Sequence, residues 1–177
     1  MEWQTFGHRA VIAGRVTQQG TGKPLAGARV QVADGPDALC SADGFYRFLN
    51  LKPGQYTLTA SIPGMGSRYG TTSTPVTLAD DGQGKAVLQT VDLELPATTI
   101  QGKVKNQSDQ AVKLAEVRVQ GSGESAWSDA QGNYVLRGVE AGSRRIAVSA
   151  RGFQKVSETV TLGQPGAVAT RDVTLSP

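Results

Sequence analysis

Few residues in this chain have a type and spacing that would support chemistry. There is one histidine, His8, in 177 residues. A catalytic zinc needs several neutral imidazole and carboxylate ligands around it, and a lone His8 cannot supply a pair. A Ser-His-Asp triad would have to use the same imidazole, ahead of the first strand, with no nucleophile-elbow sequence in the chain. His8 therefore reads as an exposed terminal residue. Cys40, the one cysteine, has no second imidazole candidate to activate it and alternates into a strand, so it reads as a small buried hydrophobe; no intramolecular disulfide is available. Oxygen ligands cluster near glycine in "LADDGQG" (Asp80, Asp81) and "SDAQGNY" (Asp129, Asn133). A calcium cage takes six or more oxygens and neither stretch supplies them alone, so these acids read as turn formers. The expectation is no catalytic residue, no metal and no cofactor.

What must position these residues is a repeated unit. "SADGFYRFLNLKPG" at 41–54 returns as "SDAQGNYVLRGVEAG" at 128–142. Gly44 and Gly132, Tyr46 and Tyr134, and Gly54 and Gly142 all keep a separation of 88. A fixed internal period signals a duplicated structural unit. The reading is an N-terminal segment 1–9, a first domain 10–96 and a second domain 97–177, meeting at "ELPATTI".

Apolar residues alternate with period two, the mark of strands with one dry and one wet face. Tyr56, Leu58, Ala60 and Ile62 oppose Gln55, Thr57, Thr59 and Ser61. Val87, Val91, Leu93 and Leu95 oppose Asp92 and Glu94, and Ile146, Val148 and Ala150 oppose Arg145, Ser149 and Arg151. Turn sequences such as "TGKPLAG", "KPG", "DDGQG" and "GQPG" cut each half into about seven short strands. The fold class is all-β, two tandem seven-stranded β-sandwiches of transthyretin-like or immunoglobulin-like form. The repeated phrase then reads as a hairpin whose aromatic, Tyr46 or Tyr134, enters the core.

Charge excludes some partners. The net +3 belongs wholly to the second half: residues 1–96 carry eight basic and eight acidic side chains, residues 97–177 ten and seven. That is too sparse for a nucleic-acid footprint. No apolar run of 18 residues exists, so no membrane-spanning helix is expected.

Each half resembles the carboxypeptidase regulatory-like domain, a transthyretin-like sandwich. The features that carry the resemblance are Gly14-Arg15-Val16 and Gly102-Lys103-Val104, then "LAGARV" from Leu25 to Val30 and, more loosely, Leu114 to Val117. They continue with "DGFYRF" and "DAQGNY", then "LKPGQYTL" and "VEAGSRRI", with Ala141 replacing the proline before Gly142. The resemblance implies a non-enzymatic spacer, folding-support, adhesive or docking module, mostly of exported proteins. Related surface sandwiches join a first-strand Lys to a last-strand Asn. Here Lys103 could meet Asp172, but no last-strand Asn is present, so no such cross-link is expected.

The expected function is thus structural or adhesive, with a protein partner or larger assembly. A carbohydrate-binding module and a regulatory fragment of a larger peptidase are the alternatives, with a glycan as the corresponding partner. "SIPGMGSRYGTTSTP" has no counterpart of equal length in the second half and offers Met65, Arg68 and Tyr69 as partner contacts. Trp3 and Phe6, ahead of the first strand, are further candidates. Trp127 coincides with Leu39 at the 88-residue offset and reads as core packing in preference to a sugar-stacking platform. "MEWQTFGHRAVIAG" lacks the pattern of a secretory signal. Surface placement by resemblance is reconciled with this by cytoplasmic assembly on a phage-tail-like contractile particle.

Overall fold

The computed structural model describes residues 9–177. Among the described residues strands dominate, joined by turns, with a single 3-10 turn at Pro63–Met65. The chain divides into two compact units, one formed by residues up to 64 and 71–95, the other by Met65–Gly70 and Pro96–Pro177. Each is a two-sheet sandwich.

In the first unit, one sheet contains β1 (Ala10–Gln18) with β4 (Phe45–Leu49) antiparallel on one side. On its other side lies the last strand, split into β7 (Gln89–Thr90) and β8 (Leu93–Leu95), both parallel to β1. The facing sheet runs β3 (Asp37–Leu39), β2 (Arg29–Val32), β5 (Gly54–Ser61), β6 (Thr72–Leu78), all antiparallel. The second unit repeats this plan. β9 (Thr99–Asn106) lies between β12 (Asn133–Arg137) and the split last strand β15 (Val168–Thr170) and β16 (Val173–Leu175). Its facing sheet is β11 (Ser125–Trp127), β10 (Glu116–Val119), β13 (Gly142–Ser149), β14 (Val156–Leu162). Counting a split strand once, each unit has the seven strands its turn spacing predicts.

Alternation places the core. Leu58, Ala60 and Ile62 are buried in the first unit, as are Ile146 and Val148 in the second. Tyr46 and Phe48 point inward from β4 and meet edge to face, ring centroids 5.9 Å apart. In the second unit one apolar cluster draws Ile100 and Val104 from β9, Tyr134 and Leu136 from β12, Val117 from β10, Val160 from β14 and Leu175 from β16. Side chains from both sheets thus interlock, as a sandwich core requires.

Two residues depart from the alternation read from sequence. Val87 is 41% exposed, while its neighbour Ala86 is buried. Leu88 is 49% exposed as well, so after the Asp80↔Ala86 bridge the chain runs with both faces open and alternation resumes only at Leu93. Trp127 is 60% exposed and is not a core residue. In the three-residue strand β11 the middle residue, Ala126, packs on the core, and both flanking side chains point outward.

Candidate functional site

The repeated phrase builds a clasp between the first and last strands of each unit. Gly44 closes the hairpin turn at φ 75°, donating its N–H to the Ser41 carbonyl (2.9 Å). Its own carbonyl accepts from Val16 of β1 (2.9 Å), and a Cβ placed on it would lie 2.5 Å from the Val16 carbonyl oxygen. Gly132 repeats this against Val104 at 2.8 Å. Tyr46 then crosses the core and its hydroxyl donates to the Val91 carbonyl (2.7 Å), in the gap between β7 and β8. Tyr134 does the same to Arg171 (2.6 Å), between β15 and β16.

That carbonyl is also why Gly begins each "G-x-V". A Cβ on Gly14 would sit 1.8 Å from the Val91 oxygen, and one on Gly102 2.0 Å from the Arg171 oxygen. Only glycine permits such a backbone approach. The next residue completes the clasp. Asp92 turns back and accepts from the Arg15 N–H (2.8 Å), and Asp172 from the Lys103 N–H (2.8 Å). The split of the last strand is therefore a built feature: the Val91 and Arg171 carbonyls turn out of the ladder to meet tyrosine, and the carboxylate of the next residue meets the first strand. Lys103 and Asp172 do meet, through the backbone N–H of the lysine.

Burial pushes the Tyr46 hydroxyl far above its ordinary pKa, and Tyr134 up to about 12, with the Asp172 charge adding to the effect. Both remain neutral donors across the physiological range. Burial likewise raises the Cys40 thiol to about 11, so no thiolate forms there at neutral pH. In the second unit Ser128 stands at the place of Cys40. Its buried hydroxyl donates to the Val112 carbonyl (2.7 Å) and accepts from the Ala115 N–H (2.9 Å).

The acids near glycine serve turns. Asp80 accepts from the N–H groups of Gly82 and Gly84, Asp81 from those of Gln83 and Lys85, and Asp129 from those of Gln131 and Asn133. Among the described residues no group of three or more His, Cys, Asp or Glu side chains could hold a metal ion. Nor is any helix long and apolar enough to cross a membrane. A cleft of about 270 Å³ in the first unit is lined by Arg9, Asn50, Lys52 and Lys85; Arg9 is ion-paired with Asp81 at 3.4 Å.

Residues 65–70 belong to the second unit. The connection from β5 to β6 spans ten residues, 62–71, against six, 150–155, from β13 to β14. Arg68 is the centre of the segment. Its guanidinium is hydrogen-bonded and ion-paired to Glu124, donates to the Gly138 carbonyl (2.7 Å) and lies 3.8 Å from Glu140. Burial raises the Glu124 pKa, but the Ser122 hydroxyl and Arg68 outweigh it and hold the carboxyl below its usual range. The backbone joins in: Thr98 N–H donates to the Arg68 carbonyl (2.9 Å), Gly70 N–H to the Pro96 carbonyl (2.9 Å), and Tyr69 bridges Ala97. Of the contact candidates on this segment, Arg68 is thus committed within the second unit, Tyr69 is half-buried and Met65 is 41% exposed. Trp3 and Phe6 lie outside the described residues.

The exposed apolar side chains include Leu39 (70%), Leu114 (67%) and Trp127 (60%). Leu114 has a left-handed backbone, φ 56°, at the place where the first unit has Gly27 at φ 71°. Both donate an N–H across to the adjacent strand, Gly27 to Cys40 and Leu114 to Ser128.

Sequence reading set Asp172 against Lys103 and Asp92 on a wet strand face but did not pair the two acids, which lie 80 residues apart, off the 88-residue ruler that revealed the repeat. The signal available was the pair "VDLEL" and "RDVTL", with Asp two positions ahead of an x-Leu ending. The model of the carboxypeptidase regulatory-like domain matches residues 11–94 and again residues 99–176. The chain belongs to this family, as two consecutive copies. The clasp shared by the copies accounts for the "G-x-V", "G-x-Y" and terminal "D-x-x-L" features of both copies. Some solved structures are similar to the chain at low identity. The Bacillus anthracis TIE protein is 13% identical, with 96% of this chain and 34% of that chain covered and a TM-score of 0.42. The shaft pilin SpaA from Lactobacillus rhamnosus GG is 12% identical over 96% and 98%, TM-score 0.44. Chlorocatechol 1,2-dioxygenase from Pseudomonas putida is 12% identical over 45% and 59%, TM-score 0.38. The chain thus spans about a third of the length of the TIE protein. No curated protein matches it in sequence.

Proposed function

We propose that this tandem regulatory-like protein is a non-catalytic structural and adhesive module that presents apolar contact points to a protein partner. The observation that carries the reading is Trp127, a large aromatic held 60% exposed on a three-residue strand. Exposed tryptophan and methionine are concentrated at protein interfaces, and Met65 on the same unit is 41% exposed. Arg68 and Tyr69 hold the 65–70 segment, so contact falls to Met65 and Trp127.

The test is a photo-crosslinking amino acid placed at 127, or at the equivalent position 39, in the native host. A discrete protein adduct at 127 that is absent at 39 supports the assignment. Equal labelling at both positions, or none at 127, contradicts it. The exposed indole favours one second reading, a carbohydrate-binding module in which Trp127 stacks on a sugar. Glycan-array binding abolished by Trp127→Ala would establish that reading in place of the first. The corresponding setting is an extracellular assembly, of which a phage-tail-like particle is one form. Immunogold localisation on intact cells and particles distinguishes surface from particle.

A further inference from the structure

The first and last strands of each unit run parallel and side by side. β1 pairs with the last strand as Ile12↔Gln89, Ala13↔Thr90, Val16↔Leu93, Thr17↔Glu94 and Gln18↔Leu95. β9 pairs as Val168↔Thr99, Ala169↔Ile100, Thr170↔Gln101, Val173↔Val104, Thr174↔Lys105 and Leu175↔Asn106. In a parallel pair the start of one strand and the end of the other lie at opposite ends of the ladder. Tension applied to a unit's chain ends therefore pulls the two strands along their own axes in opposite directions. The hydrogen bonds lie across that direction and are loaded together. An antiparallel hairpin pulled at its open end breaks one bond at a time.

The clasp sits at the middle of this ladder in both units. The Tyr46 and Tyr134 hydroxyls, the Asp92 and Asp172 carboxylates and the close approach at Gly14 and Gly102 all engage the break in the last strand. Backbone bonds bracket it, from Val91 to Ala13 (2.9 Å) and from Arg171 to Gln101 (2.7 Å). Sliding one strand past the other requires the tyrosine bond, the carboxylate bond and the interlocked glycine contact to fail before either half of the ladder can re-pair.

We propose that each unit is a tension-bearing element, loaded in shear, with Gly14–Tyr46–Asp92 and Gly102–Tyr134–Asp172 as the catches of two clasps in series along the chain. This goes beyond the proposed function and does not depend on it, since a module that binds no partner would still resist force in this geometry.

The test is single-molecule force spectroscopy on the full chain with handles at its two ends. A second geometry uses handles on Ala141→Cys and Gly163→Cys in a Cys40→Ser background, which unzips the antiparallel β13–β14 pair. End-to-end rupture forces severalfold above those of the hairpin geometry are expected, at equal loading rate. Forced unfolding reports the unfolding barrier, so Tyr134→Phe, which deletes one buried hydrogen bond and keeps the ring, should raise the second unit's zero-force unfolding rate about fivefold. Rupture forces that do not exceed those of the hairpin geometry would overturn the proposal. So would a Tyr134→Phe chain whose end-to-end rupture forces match the parent's. The geometric comparison uses no clasp variant, so poor folding of a variant leaves the outcome decisive.

Discussion

Leu39 in the first unit and Trp127 in the second hold the same place, on a short edge strand with the side chain outward. Gly27 and Leu114 hold a second shared place, a left-handed corner, where the first unit uses the residue that suits it and the second a bulky one. Around the clasp, by contrast, the units match residue for residue: Gly14 with Gly102, Tyr46 with Tyr134, Asp92 with Asp172. The interior device was kept in both copies and the rim was not. A divided pattern of this kind is expected when a shared scaffold carries surfaces with different duties.

The strongest challenge to the matched half of that comparison is Gly14→Ala, with Gly102→Ala as its twin. Each places a methyl against a backbone carbonyl that is itself fixed by tyrosine, so the strands must separate. Each should cost its own unit about 3 kcal/mol or more, measured by denaturant titration followed through amide resonances of each unit. A small effect in one unit alone would show that the clasps are not equivalent.

Arg68→Ala probes what the second unit has and the first lacks. It removes hydrogen bonds to Glu124 and to the Gly138 carbonyl and should cost the second unit about 2 kcal/mol. The pH dependence has a defined sign. Glu124 has a lowered pKa in the folded state, so its contribution is present above the ordinary carboxyl value near 4.5 and is lost as pH falls through the lowered one. The second unit should therefore lose stability below about pH 4.5, and Arg68→Ala should blunt that loss by removing one of the groups that depress the pKa. Retention of the full acid sensitivity in the variant would mean that the Ser122 hydroxyl and the Glu124 backbone N–H set it without Arg68. Excision of 65–70 removes part of the second unit, so it does not isolate a surface loop.

The smallest effect concerns the corner. Leu114→Gly should stabilise the second unit by about 0.5–1 kcal/mol by relieving the left-handed backbone, net of the entropy that glycine adds to the unfolded chain. Destabilisation instead would mean that the exposed leucine makes a contact within the fold worth more than the strain.

Fold class, strand number and the inward tyrosines were legible because burial writes itself into sequence with period two and turns demand particular residues. Trp127 was not, since a three-residue strand offers too few positions to set parity and its partner Leu39 carried the same ambiguity. Asp92 and Asp172 alternate as wet-face residues and do sit on that face; what alternation omits is that they reach back to a neighbouring N–H. The destination of Arg68 was illegible for a different reason. Its acids lie 56 and 72 positions away, and no local pattern specifies that meeting.

Native-state amide hydrogen exchange at the clasp tests the shared interior device most directly. The N–H groups of Arg15 and Val91, and of Lys103 and Arg171, are engaged at the strand break and should exchange only through global unfolding of their own units. Exchange at those four amides as fast as at exposed turn positions would show that the break in the last strand is a frayed edge with no clasp in it.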